Sequence, residues 1–368
     1  MQLKRGDLKT LAGADGGATI PASMMTALRV GNAKGVAVKL EVAMTLFSRR
    51  SLFVSALLVG TLPTATLFAA DQPTEIRIDW ATYNPVSMLL KERGWLEKEF
   101  AKDGISIRWV QSAGSNKALE FLNAGSIDFG STAGSAALLA KINGNPIKSI
   151  YVYSKPEWTA LVTRKESDIK SVADLKGKRV AVTRGTDPHI FLVRALLGAG
   201  LGEKDIQPVL LQHPDGKTAL SRGDVDAWAG LDPMMATAEV EEGARLFYRN
   251  ADANTYGILN VREDFAKAQP NLVKRVLVVY ETARKYALAH PDEVETSFIA
   301  VTKLPKAVVE KQLRERTDLS NGRIGSPQRE SILAAGLALQ QAGVIKPDVD
   351  VKKALDELID DQFGVATN

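Results

Sequence analysis

Gly125-Ser126-Ile127-Asp128-Phe129 and Gly223-Asp224-Val225-Asp226-Ala227 decide how the chain is read. Each begins with glycine after an amphipathic segment, and glycine is the residue that most readily ends a helix in the left-handed conformation. Each then enters a short apolar run with Asp at the same offset. The two stretches lie 98 residues apart, about the length of one α/β lobe, and the second falls where the surrounding pattern restarts.

Working outward, Ile76-Arg77-Ile78-Asp79-Trp80 alternates with period two, and 87–100 has helical spacing through Leu89, Leu90, Trp95 and Leu96. Further strands are expected at 105–110, 127–130 and 147–153, with helices at 116–123 and 135–142. After Trp158 the alternation resumes, with extended residues 159–163, a short helix and turn at 172–177 and a strand at 179–182. A helix over 188–198 opens on Pro188, whose missing N–H costs nothing in a first helical turn, and strands follow at 209–211 and 225–229. From 264 onward the chain reads as helical at 271–290, 305–316, 327–342 and 352–361, punctuated by Pro291, Pro305 and Pro327. Strands alternating with helices predict an α/β protein: two mixed, mostly parallel sheets flanked by helices, in two lobes with a hinge between them. The helical tail is expected to pack back on the first lobe.

Apolar residues make up 45% of the 368 and charged residues 24%, which suits a globular chain rather than a disordered one. With no cysteine, disulfides, thiolate-held zinc or iron–sulfur clusters and thiol catalysis are excluded. His189, His213 and His290 are scattered, so neither a metal site nor a cofactor is expected. Residues 1–70 carry eight Lys/Arg against three Asp/Glu, leaving 39 basic and 40 acidic residues beyond them. The basic excess thus belongs to the leader, and nucleic acid is not an expected partner. Within the leader, Arg49-Arg50 precedes the apolar run 51–59, and small residues lead to Ala69-Ala70. Basic, apolar, then small is the order of a cleavable signal peptide, and the run is about half the ~20 residues a membrane helix needs. Paired arginines after Ser48 resemble a twin-arginine signal, although Leu52-Phe53 reverses the usual order. The expected organisation is therefore a leader extension over 1–43, a signal peptide over 44–70 and a soluble mature protein in the periplasm. Lobe 1 is expected over 71–158, lobe 2 over 159–255, and the second part of lobe 1 with the tail over 256–368.

Chemistry is expected at four strand-to-helix turns: Thr82-Tyr83-Asn84-Pro85, Ser112-Ala113-Gly114-Ser115-Asn116, Gly130-Ser131-Thr132-Ala133-Gly134-Ser135 and Thr183-Arg184-Gly185-Thr186-Asp187-Pro188. In open α/β sheets such turns line the crevice at the carboxyl ends of the strands. Unpaired N–H groups at helix starts, joined by hydroxyls, make a seat for an anion, although the same residues also serve as plain N-caps. On this reading Tyr83, Asn84 and Ser112 are ligand-binding candidates. No phosphate loop, dinucleotide fingerprint, nucleophile elbow or HExxH occurs, so nucleotide binding and these hydrolase chemistries fall away. Asp128 and Asp226 read as cap or turn hydrogen-bonders. His189 is either a capping histidine or a donor to an anion, Trp228 faces either the cleft or the core, and His213 beside Pro214-Asp215-Gly216 reads as a turn residue.

Three longer stretches resemble one known family: 120–132, Val172-Ala173-Asp174-Leu175-Lys176-Gly177-Lys178, and 223–233 with Trp228, Asp232 and Pro233. They are similar to periplasmic binding proteins for sulfonates, taurine and nitrate, most of all to the sulfonate branch, from about Thr74 to Leu259 and more loosely beyond. The resemblance implies a two-lobed, type II-like periplasmic binding protein hinged near 158–161 and 255–259. It would be a monomer that captures an alkanesulfonate and hands it to the transmembrane subunits of an ABC permease for sulfur acquisition. By motif position it implies Ser131, Thr132, Gly185, Thr186, His189, Trp228 and Asp232 as ligand-binding residues. The branch often carries serines where Thr186-Asp187-Pro188 stands here, and an acidic Asp187 fits a ligand amine, as in taurine. Taurine, nitrate or a pyrimidine precursor are the alternative ligands. A relative of this fold, the pyrimidine-forming enzyme of thiamine biosynthesis, relies on cysteine and histidine, so the chain is expected not to be an enzyme.

Overall fold

In the computed structural model, residues 72–363 are described. The extension read over 1–43 and the signal peptide read over 44–70 lie outside the described residues. The chain lays down β1 (Glu75–Trp80), β2 (Ser106–Gln111), β3 (Phe129–Ala133) and β4 (Ile147–Pro156), then crosses to a second sheet. There it forms β5 (Leu161–Thr163), β6 (Arg179–Val182), β7 (Gln207–Leu210), β8 (Ala227–Ala229) and β9 (Arg245–Tyr248). It returns through β10 (Gly257–Arg262), and β11 (Thr317–Asp318) closes the first sheet's edge. The strand orders are β11-β4-β10-β3-β1-β2 and β7-β6-β8-β5-β9. Both sheets are mixed: β2-β1-β3 and β7-β6-β8 run parallel, and the other neighbours pair antiparallel.

Those two parallel triplets are the duplication that the repeated glycine–aspartate stretch announced, and one clip holds each. In the first, Asp128 accepts the backbone N–H of Arg77 at 2.8 Å and its guanidinium at 2.6 Å, while the guanidinium also reaches the Gly125 carbonyl. In the second, Asp226 accepts the N–H of Arg179 at 2.8 Å and its guanidinium at 2.9 Å, and the guanidinium reaches the Gly223 carbonyl. Gly125 and Gly223 have φ of +64° and +82°, which is why glycine stands at both helix exits. The two aspartates are thus structural.

Ile76, Ile78, Phe129 and Val261 of the first sheet share one core with Val273, Val276, Ile332 and Leu355 of the C-terminal helices. The second sheet packs Val180, Phe191 and Leu196 on one face and Val162, Leu220, Trp228 and Met235 on the other. Three local expectations change. The helix expected over 87–100 is two, Pro85–Arg93 and Trp95–Phe100, because Gly94 turns left-handed at φ +60°. The helix expected over 305–316 gives way after Lys306–Glu310 to a π-turn, Lys311–Glu315. His213, read as a turn residue, opens the helix His213–Arg222.

Candidate functional site

Turns from the two sheets meet at the carboxyl ends of their parallel strands. A side chain on Gly114 would come within 3.1 Å of the His213 imidazole, and one on Gly185 would meet Asn116 at 4.0 Å. Asn116 Nδ2 donates to Gln212 Oε1 at 3.3 Å across the same gap. The helices starting at Ser115 and Gly134 in the first half, and at Asp187 and His213 in the second, all begin at these turns.

Around Asp79, near the end of β1, the structure gathers Tyr83, Asn84 and Ser131. Ser131 donates to Asp79 Oδ1 through its N–H at 2.9 Å and its hydroxyl at 2.8 Å. Asn84 caps the helix Pro85–Arg93 through its Oδ1, and its Nδ2 donates to Ser131 Oγ at 2.8 Å. The Tyr83 hydroxyl donates to the Ser131 carbonyl at 3.0 Å. Burial pushes the Asp79 carboxyl up to about 6, against the pull of the Ser131 bonds and of the Ser112 hydroxyl, which lies close without completing a hydrogen bond. The hydroxyls of Thr132 and Thr186 are taken by local carbonyls, those of Ala133 at 3.0 Å and Thr183 at 2.6 Å. Gly185 has φ of +76°, so its turn is closed to most side chains.

Three candidates lie in other surroundings. His189 is buried on the helix Asp187–Gly198 with Nε2 3.1 Å from Glu203 Oε1. Asp232 binds Arg316 at 3.2 Å and the N–H of Ala236 at 2.9 Å. Trp228 sits in the core of the second sheet, yet its Nε1 has no hydrogen-bond partner. A side chain on Gly216 would meet that nitrogen at 2.7 Å, and Gly216 shares a helix face with His213, one turn earlier.

Buried polar groups are nearly always hydrogen-bonded, so an orphan needs a reason. At this junction Ser112 Oγ, Asn116 Oδ1, both His213 ring nitrogens, Trp228 Nε1 and Asp79 Oδ2 are all buried and unpartnered. Burial alone pushes the His213 imidazole down to about 3, which keeps it neutral near pH 7, with one N–H to give. Ser112, His213 and Trp228 therefore carry uncharged donors that no other group among the described residues takes up. The sequence pattern missed His213 because Pro-Asp-Gly imitates a turn, and missed Asp79 because one aspartate in an alternating strand carries no signal. Ser135, Trp158, Asp187 and Thr255 form a second cluster toward the crossovers, and there the Asp187 carboxylate, expected to fit a ligand amine, is taken by the other three.

Two sheets, each wrapped by helices and joined by crossovers at 157–160 and 249–256, make this the fold of a two-lobed periplasmic binding protein. The chain belongs to the NMT1/THI5-like family, whose sequence profile matches residues 88–294. It is 32% identical over 263 residues to an Escherichia coli K12 protein named for binding aliphatic sulfonates, covering 70% of this chain and 82% of that one. A Bacillus subtilis protein of the same name is 29% identical over 252 residues, covering 68% and 76%. Among solved structures, the alkanesulfonate-binding protein of Xanthomonas axonopodis bound to MOPS superimposes with a TM-score of 0.71 at 27% identity. That match covers 77% of this chain and 99% of the other.

Proposed function

We propose that this chain is the solute-binding component of an ABC importer, holding an alkanesulfonate between its lobes and passing it to a membrane permease. The carrying observation is the set of buried, unpartnered, uncharged donors contributed from both sides of the junction: Ser112 from one, His213 and Trp228 from the other. A sulfonate is a permanent anion with three acceptor oxygens, so it can bond both lobes at once and favour the closed state over the open one. Neutral donors at helix starts hold such an anion without the desolvation cost of a buried lysine or arginine. Gly185, in its left-handed turn, keeps a side chain out of the junction, Tyr83, Asn84 and Ser131 hold Asp79 behind the site, and Thr132 and Thr186 form its walls, while His189 and Asp232 serve the surrounding structure. The names of the relatives support the ligand class. The chain works by binding rather than catalysis, as a periplasmic monomer after export by its signal peptide. No helix among the described residues is long and apolar enough to cross a membrane.

Calorimetry of the mature protein against alkanesulfonates, MOPS, taurine, nitrate, sulfate and a formylaminopyrimidine tests this. The expected outcome is micromolar binding of an alkanesulfonate, about −8 kcal/mol. Heat only from nitrate or only from the pyrimidine would reject the ligand class. Ser112→Ala and Trp228→Phe should each weaken sulfonate binding by about 1–3 kcal/mol, because each removes a buried donor to a charge. Unchanged affinity in both variants would place the ligand elsewhere.

A further inference from the structure

The carboxylate of Asp187 is 2% exposed and opens the helix Asp187–Gly198 of the second lobe, yet its donors come from a first-lobe helix and from the two crossovers. Ser135 Oγ, on the first-lobe helix Gly134–Ile142, donates to Oδ1 at 2.6 Å. Trp158 Nε1, on the first crossover, donates to Oδ2 at 2.8 Å. Thr255, on the second crossover, gives its N–H to Oδ2 at 3.0 Å and its hydroxyl to Oδ1 at 2.7 Å. The Ser135 N–H in turn bonds Thr255 Oγ1 at 3.3 Å. Among the described residues no ion pair includes Asp187, so four uncharged donors carry the whole charge. That is how a free oxyanion would be held, except that this one is tethered to the opposite lobe.

A full charge has to be solvated by something, and these donors can do so only while the Asp187 helix lies against Ser135. Swinging the second lobe away breaks the Ser135 bond and turns the Asp187 helix relative to the crossover donors Trp158 and Thr255. We propose that Asp187 is a built-in anion that latches the two lobes together in the absence of any ligand. The ligand then selects a closed state already populated, instead of supplying all of the closing energy. The latch concerns the empty protein, so it stands or falls apart from the identity of the ligand.

The absence of native cysteine gives a clean test. Spin labels at Glu120→Cys and Thr218→Cys, both exposed and flanking the junction, report lobe separation by pulsed electron resonance. In the ligand-free protein the expected distance is single and short. Asp187→Asn, which sets an NH2 against the Trp158 and Thr255 donors, should add a longer distance. Trp158→Phe removes one bond from the other side and should do the same, so the result does not depend on one variant folding. A ligand-free wild type as open as both variants, or variants as closed as the wild type, would overturn the latch.

Discussion

Replacing Arg316 by methionine should cost about 3–5 kcal/mol of stability at neutral pH, the penalty for stranding a buried charge. Arg316 is buried beside Asp232 and Glu239, and Asp232 keeps only the Ala236 N–H once the guanidinium is gone. Burial already pushes the Asp232 carboxyl up to about 6, although Arg316 pulls it down. The native state therefore holds that proton more tightly than the unfolded chain, whose carboxyl titrates near the usual ~3.9. The cost of ionising Asp232 is fully present above pH 6 and fades as pH falls toward 4. Without Arg316 the carboxyl rises further, so the deficit of Arg316→Met should shrink between about pH 7.5 and pH 5. Adding Asp232→Asn should recover much of it at neutral pH. Urea denaturation at both pH values measures this, and a deficit indifferent to pH and to the second substitution would show that Arg316 acts through packing alone.

His213 should give the second large effect, with the opposite sign. Its imidazole is held down at about 3 by burial, whereas the unfolded chain protonates it near 6.5. A depressed base contributes stability that is intact above the unfolded value and is lost as pH falls toward the native one. Integrating between those values puts the loss at about 3 kcal/mol by about pH 4.5. His213→Leu removes the loss, so this variant should gain about that much over the wild type in acid while matching it near pH 7. Its sulfonate affinity should fall at least about tenfold, the equivalent of one donor to a charge. If the two proteins lose stability in parallel on acidification, the ring is not neutral and sealed as described.

Where the sequence could be read depended on whether the signal was local. The strands β1 and β6, the helices starting at Gly134 and Asp187, and the four turns between strands and helices all announce themselves within ten residues. β10 did not: Gly257–Arg262 is buried over its first five residues, so it shows no alternation, and its place between β3 and β4 comes from contacts over 100 residues distant. Gly216 misled in the same way. Beside Pro214-Asp215 it suggests a turn, but it stands inside the helix His213–Arg222, where the Trp228 ring leaves no room for a side chain. The hydroxyls show the limit at the site. Ser131 and Ser112 look alike in the sequence, and only the position of Asp79 commits one to a carboxylate while the other stays unpartnered.

The twin arginine–aspartate clips are not equal. Asp128 is 1% exposed with Arg262 a further 3.7 Å away, whereas Arg179 and Asp226 are 44% and 28% exposed. Water and salt screen the second far more than the first. Ionic strength thus becomes a selective solvent lever on one of two matching clips: raising it should loosen amide protection around β6 and β8 well before β1 and β3 respond.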